Sequence, residues 1–162
     1  MALPEVLRFP NPVNEVSARL VAAGVVLTTL AILVGHQHWV LVPLAYGFVA
    51  RLAAGPRFSP LGLLVTKVVT PRLSVPAKLV PGPPKRFAQG IGATLSVAAL
   101  LSWSLGSTTV AIVLVAAITI AATLESVFAY CLGCKVFALL MRARIIPPEV
   151  CDACNDLSLR NA

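Results

Sequence analysis

The sequence predicts an all-α membrane protein. Its parts are a bundle of four transmembrane helices, an amphipathic helix at the interface within a long cytoplasmic loop, and a short polar C-terminal tail. Three observations predict this. Of the 162 residues, 58% are hydrophobic and only 12% charged, where a soluble domain carries about 25% charged residues, and mean hydropathy is +0.90. The apolar residues gather into four runs near the ~20 residues that a helix needs to cross hydrocarbon. The charges are segregated: all six acids fall within residues 1–15 or 125–156, and the cations between them have no carboxylate beside them in sequence.

Residues 1–15 are polar and punctuated by Pro4, Pro10 and Pro12. The first charge is Glu5 and no small-residue cleavage site follows the first apolar run, so a cleaved signal peptide is not expected. Asn14 or Ser17 is placed to cap the first span, residues 17–35, because a short polar side chain accepts from the free amides of a first turn. Arg19 lies in that turn, within reach of the headgroups. His36-Gln37-His38-Trp39 reads as an outer turn anchored by Trp39. Its histidines, two residues apart, do not face each other on a helix, which argues against a metal site there.

The second span, residues 39–54, is short, with Pro43 in its first turn, where a missing N–H costs nothing, and Arg51 at its far end. Residues 55–86 form the long loop. Gly55-Pro56 breaks the helix, and residues 59–69 read as a short apolar helix that lies in the interface or re-enters it. Pro71, Pro76, Pro81, Pro83 and Pro84 prevent its continuation. The loop carries Arg57, Lys67, Arg72, Lys78, Lys85 and Arg86 without an acid, so the positive-inside rule places it in the cytoplasm.

The third span is residues 87–105, where Ala88 and Gly92, four apart, permit close helix approach, and Gln89 lies near the cytoplasmic end. Gly106-Ser107 makes an outer turn, and residues 109–130 form the fourth span. Residues 1–142 thus read as a four-helix membrane domain and residues 143–162 as a cytoplasmic tail carrying two cysteines, with both termini inside and the protein multi-pass. The net charge of +7 points to anionic membrane lipid as partner. Nucleic acid is not expected, because a basic nucleic-acid binder interleaves aromatic and polar residues rather than long apolar runs.

The candidate chemistry centres on residues 125–135. Glu125 is the only acid between Glu15 and Glu149, and a carboxylate inside an apolar span is costly unless paired or wetted. Its candidate partners are Arg19, Arg51, Arg86 and Lys135. If the helix continues through Cys131 and Cys134, both thiols share one face with Leu124 and Val127, and Glu125 lies roughly 120° away. A second pair, Cys151 and Cys154, follows in the tail.

Three readings of the cysteines stay open. As a redox dithiol, one thiolate attacks a disulfide and the other resolves the mixed disulfide, with Lys135 and a nearby helix start stabilising the thiolate; a persulfide carrier is a variant. As a metal site, Cys131, Cys134, Cys151 and Cys154 have the two-pair spacing of structural zinc, and four thiolates also hold an iron–sulfur cluster. As inert residues, they are four small buried side chains. A transporter subunit using Glu125 ranks lowest, because no inverted repeat is visible.

Three segments carry a family resemblance: Gly55-Pro56-Arg57-Phe58-Ser59-Pro60-Leu61-Gly62, Pro83-Pro84-Lys85-Arg86-Phe87-Ala88-Gln89-Gly90-Ile91-Gly92, and Leu124-Glu125 leading to Cys131-Leu132-Gly133-Cys134. Over residues 9–140 the chain resembles small bacterial membrane proteins grouped as domain of unknown function 4395. The resemblance implies a four-helix domain of the bacterial inner membrane with Glu125, Cys131 and Cys134 at its core. Through the association of that family with thioredoxin- and sulfurtransferase-linked systems, it also implies thiol or sulfur chemistry. The expectation is therefore an inner-membrane thiol redox or sulfur-handling protein. Cys131, Cys134, Glu125 and Lys135 are its catalytic candidates, and a thioredoxin-like or sulfurtransferase protein is its partner. A non-enzymatic module holding zinc or an iron–sulfur cluster on the four cysteines is the alternative.

Overall fold

The computed structural model describes residues 9–151 and Cys154. Pro4, Glu5 and most of the tail beyond Cys151 lie outside the described residues. Among the described residues, seven α-helices and one two-residue ladder follow in order: β1 (Val13–Asn14), α1 (Glu15–Leu33), α2 (Leu41–Ala54), α3 (Pro60–Leu64), α4 (Thr70–Arg72), β2 (Leu79–Val80), α5 (Gly82–Ser104), α6 (Thr108–Phe128) and α7 (Leu132–Arg142). Four helical stretches are long and apolar enough to cross a membrane: Glu15–Leu33, His38–Arg72, Gly82–Ser104 and Thr108–Phe128.

Each boundary has a local cause. Asn14 caps α1, its side chain accepting from the Val16 amide at 3.0 Å. Ser17 instead lies inside the helix and hydrogen-bonds Thr70 at 2.9 Å. A 3₁₀ turn over His38–Val40 leads into α2. Here Trp39 donates to Gln37, and the His38 ring stacks on Trp103, 5.9 Å between centroids. α5 begins at Gly82, five residues before the expected start, because Pro83 and Pro84 occupy its first turn, where they initiate a helix rather than break one. Lys85 and Arg86 are therefore helical, not loop residues.

The region after α2 departs from a simple interfacial helix. Gly55 turns the chain with φ 67°, the left-handed region that glycine enters without penalty. Helical structure then continues as α3, a π-helical turn over Val65–Val69, and α4. Leu61 packs on Gly24 in the middle of α1, whereas Thr70 meets Ser17 in its first turn. The segment therefore enters the bundle, turns, and returns antiparallel to α1 on the side it came from. Of the two arrangements that the sequence allows, interfacial or re-entrant, this folding back against α1 has the geometry expected of the second.

In the bundle α1 packs on α6, α2 on α5, and α5 on α6. The core joins Val25, Ile32, Leu41, Leu44, Phe48, Ala93, Ala99, Val115, Ile118 and Ala122. The Phe48 ring occupies the space a side chain at Gly92 would need, so this glycine sets the α2–α5 approach. Leu27, Val34, Val113, Ile120 and Phe128 point outward, as expected for surfaces facing lipid. Arg19 donates to the carbonyls of Ser126 and Val127 at 3.0–3.2 Å, satisfying acceptors that the end of α6 leaves open. At the same basic end, β1 pairs antiparallel with β2, Val13 opposite Val80. Lys78 bridges Glu15 at 2.9 Å, and the Gly82 amide bonds Asn11 at 3.0 Å.

Candidate functional site

α6 does not run through the first cysteine pair. It ends at Phe128, and Ala129 takes a left-handed conformation with φ 54°. Cys131 is extended and becomes the N-cap of α7. The expected placement of Cys131 and Cys134 on one face of a continuous fourth span is thus corrected: the thiols sit at a helix start. The Cys134 amide points at Cys131 Sγ at 3.4 Å, and the two sulfurs are 2.7 Å apart. Both are free thiols; Cys131 is buried and Cys134 partly so. The glycine between them matters for packing. A Cβ on Gly133 would come within 2.5 Å of Ala88 Cβ and 2.6 Å of its Cα. Only glycine lets α7 lie this close to α5.

The cation beside the pair is Lys85, not Lys135. Lys135 reaches away, its ammonium 5.4 Å from the centre of the Tyr130 ring. Lys85 turns inward from the first turn of α5 and bridges Glu125 at 2.6 Å, both side chains largely buried. None of the four partners expected for Glu125 makes this contact. Arg19 holds the α6 carbonyls and Arg86 the Leu52 carbonyl. Arg51 is 5% exposed; it donates to Gln89 Oε1 and Ser59 Oγ, each at 3.0 Å, and lies 4.6 Å over the Phe48 ring. Sequence reasoning missed Lys85 because flanking prolines marked a loop. The available signal was spacing: Lys85, Gln89 and Gly92 lie on one helical face.

The electrostatics divide the two thiols. The hydrogen bond donated by Cys134 holds the Cys131 thiol below its ordinary pKa. Burial and Glu125 oppose that shift, while Lys85 and the Cys134 amide support it. Cys134 is pushed up, first by the bond it donates and then by burial. The start of α7 adds the partial positive charge of unsatisfied amides, the environment in which thiolates form. The site thus holds one sulfur biased towards thiolate and one kept as thiol.

The second pair is in another state. Cys151 and Cys154 form a disulfide, 2.02 Å between sulfurs, after the turn at Pro148–Val150. The expected gathering of Cys131, Cys134, Cys151 and Cys154 around zinc or an iron–sulfur cluster is not assembled. Among the described residues, no three His, Cys, Asp or Glu side chains form a group able to hold a metal ion. A bridged sulfur is also no thiolate ligand.

A cavity of about 310 Å³ reaches from the bundle core to Cys131. Small apolar side chains of α1 and α6 line it together with residues of α2, α5 and α7, and Arg51, Gln89 and Glu125 supply polar groups.

No curated protein and no solved structure matches the chain. The family model described as "Domain of unknown function (DUF4395)" matches residues 13–142, from the clasp at β1 to the last residue of α7 and including every residue of the first thiol site. The chain belongs to this DUF4395 family.

Proposed function

We propose that the protein is an inner-membrane thiol–disulfide exchange protein in which Cys131 attacks and Cys134 resolves. The observation that supports this best is the pair itself: two free thiols 2.7 Å apart at the start of α7, one favoured as thiolate. The Cys131 thiolate attacks one sulfur of a disulfide; that S–S bond breaks and the other sulfur leaves as thiolate. Cys134 then attacks Cys131 Sγ, closes the 131–134 disulfide and expels the remaining sulfur, its proton passing to the leaving thiolate. Two electrons have moved from this pair to the acceptor. The acceptor is the Cys151–Cys154 disulfide or one in a thioredoxin-like partner. Glu125 holds Lys85 beside the sulfurs. By the positive-inside rule both termini and both pairs lie on the cytoplasmic side, where a lasting structural disulfide is unusual. A bridge at Cys151–Cys154 there suits a redox carrier.

Removing the resolving thiol tests this. Cys134→Ser should accumulate a mixed disulfide at Cys131, with Cys151, Cys154 or a partner, visible on non-reducing gels and assigned by peptide mass. Cys131→Ser should accumulate none. Equal, wild-type levels of adduct in both variants would sink the reading.

A further inference from the structure

The thiol pair has a second, apolar approach besides the side open to exchange at the partly exposed Cys134. Cys131 is 8% exposed, and its neighbourhood opens into the 310 Å³ cavity. The cavity's deep wall is Val25, Leu95 and Ile118, core residues of α1, α5 and α6. Around its rim Ile91, Leu132 and Val136 are apolar and exposed. A lipid-soluble co-substrate partitions into a cavity with such a mouth far better than a water-soluble one. Two groups on the wall, the Arg51 guanidinium and the Gln89 amide, belong to the donor-bearing residue types that bind a carbonyl oxygen. The volume lies at the lower end of the range of small-molecule sites, roughly 300–1,000 Å³, and suits one substituted six-membered ring.

The chemistry narrows the ligand further. Closing a dithiol releases two electrons and two protons, and a flat, lipid-soluble molecule whose two carbonyls accept that pair is a quinone. We propose that this cavity binds the head group of a membrane quinone, which reoxidises or is reduced by the Cys131–Cys134 couple. In the forward direction two S–H bonds are lost and one S–S bond forms. The two quinone carbonyls become hydroquinone hydroxyls. The apolar tail of the quinone leaves past Ile91, Leu132 and Val136, the exposed apolar residues at the rim. This deepens the thiol-exchange reading and rests on it: with the quinone as oxidant, exchange runs in the reverse of the order written above, a partner dithiol reducing the 131–134 bridge through a mixed disulfide and the quinone closing that bridge again.

The test uses full-length protein in detergent, reduced with dithiothreitol, desalted and mixed with a decyl-substituted benzoquinone. In the Cys151→Ser/Cys154→Ser protein, where Cys131 and Cys134 are the remaining thiols, about one hydroquinone per chain should form, as expected for a two-electron couple, with loss of both thiols. Ala121→Phe, which fills the cavity, should weaken quinone binding about tenfold or more. Val136→Trp, at an exposed position on the rim, should do the same without burdening the core. The Cys131→Ser/Cys134→Ser protein should still bind quinone, seen as a quinone-dependent rise in melting temperature, but reduce none. Absent binding and reduction in wild type, with Cys134→Ser still trapping mixed disulfides, overturns the quinone site and leaves exchange standing. Binding without reduction or trapping overturns the exchange reading instead.

Discussion

At the scale of single residues, the site turns on one sulfur and one ammonium. Cys131 is drawn towards thiolate by the Cys134 hydrogen bond, with Lys85 assisting against burial and Glu125. Its alkylation rate should therefore rise through a midpoint below the ~8.5 of a free thiol, while Cys134, pushed up, stays unreactive across the neutral range. The sign follows from the lowered pKa: more thiolate, and faster alkylation, at a given pH below that of a free thiol. Lys85→Met should move the midpoint up, as expected on losing a nearby opposite charge, and Lys85→Arg should largely restore it. An unchanged midpoint in Lys85→Met would remove Lys85 from the site. Glu125, Cys131 and Cys134 were legible in the sequence because a lone acid and a Cys-x-x-Cys stand out in an apolar chain. Lys85 was not, since its two preceding prolines read equally well as a loop and as a first helical turn. Lys135 was misplaced for a related reason: adjacency to Cys134 in sequence becomes, on a helix, a different face.

At the scale of elements, α7 is held by the contact of Gly133 with Ala88. Gly133→Ala should destabilise the protein by about 1–3 kcal/mol, the usual cost of overpacking, read as a lower melting temperature in detergent. Ala88→Gly in the same chain should recover part of the loss, because it clears the Cβ that the new methyl meets at 2.5 Å. Lack of recovery would show that the helices do not meet there. The four long helices were readable from apolar runs, but their ends were not. No glycine or proline announces the break after Phe128; the chain instead places Ala129 in a left-handed conformation, at a cost of roughly 1–2 kcal/mol. Gly55 and its prolines did announce a break, yet not that helical structure would resume and fold back against α1. Tertiary packing of Leu61 on Gly24 decides that, and no local pattern records it.

At the scale of the whole molecule, the four-span bundle follows from composition, whereas the four cysteines, whose spacing left a shared metal site open, stand as one free pair and one bridged pair. Spacing reports separation along the chain and carries no information on where α7 carries the second pair. Orientation is testable directly. In spheroplasts, a membrane-impermeant maleimide should leave a single cysteine at Gly106→Cys labelled and one at Ser74→Cys unlabelled until the cells are lysed, with the reverse pattern excluding cytoplasmic termini. Arg19 has a wider consequence. Its acceptors, the carbonyls of Ser126 and Val127, lie 107 and 108 residues further on, and α1 packs on α6. The first span to be synthesised is thus completed by the last. Until α6 arrives during biogenesis, Arg19 has no α6 carbonyl to grip, and in a nascent chain that stops short of residue 126 its guanidinium must rest on headgroups and water instead.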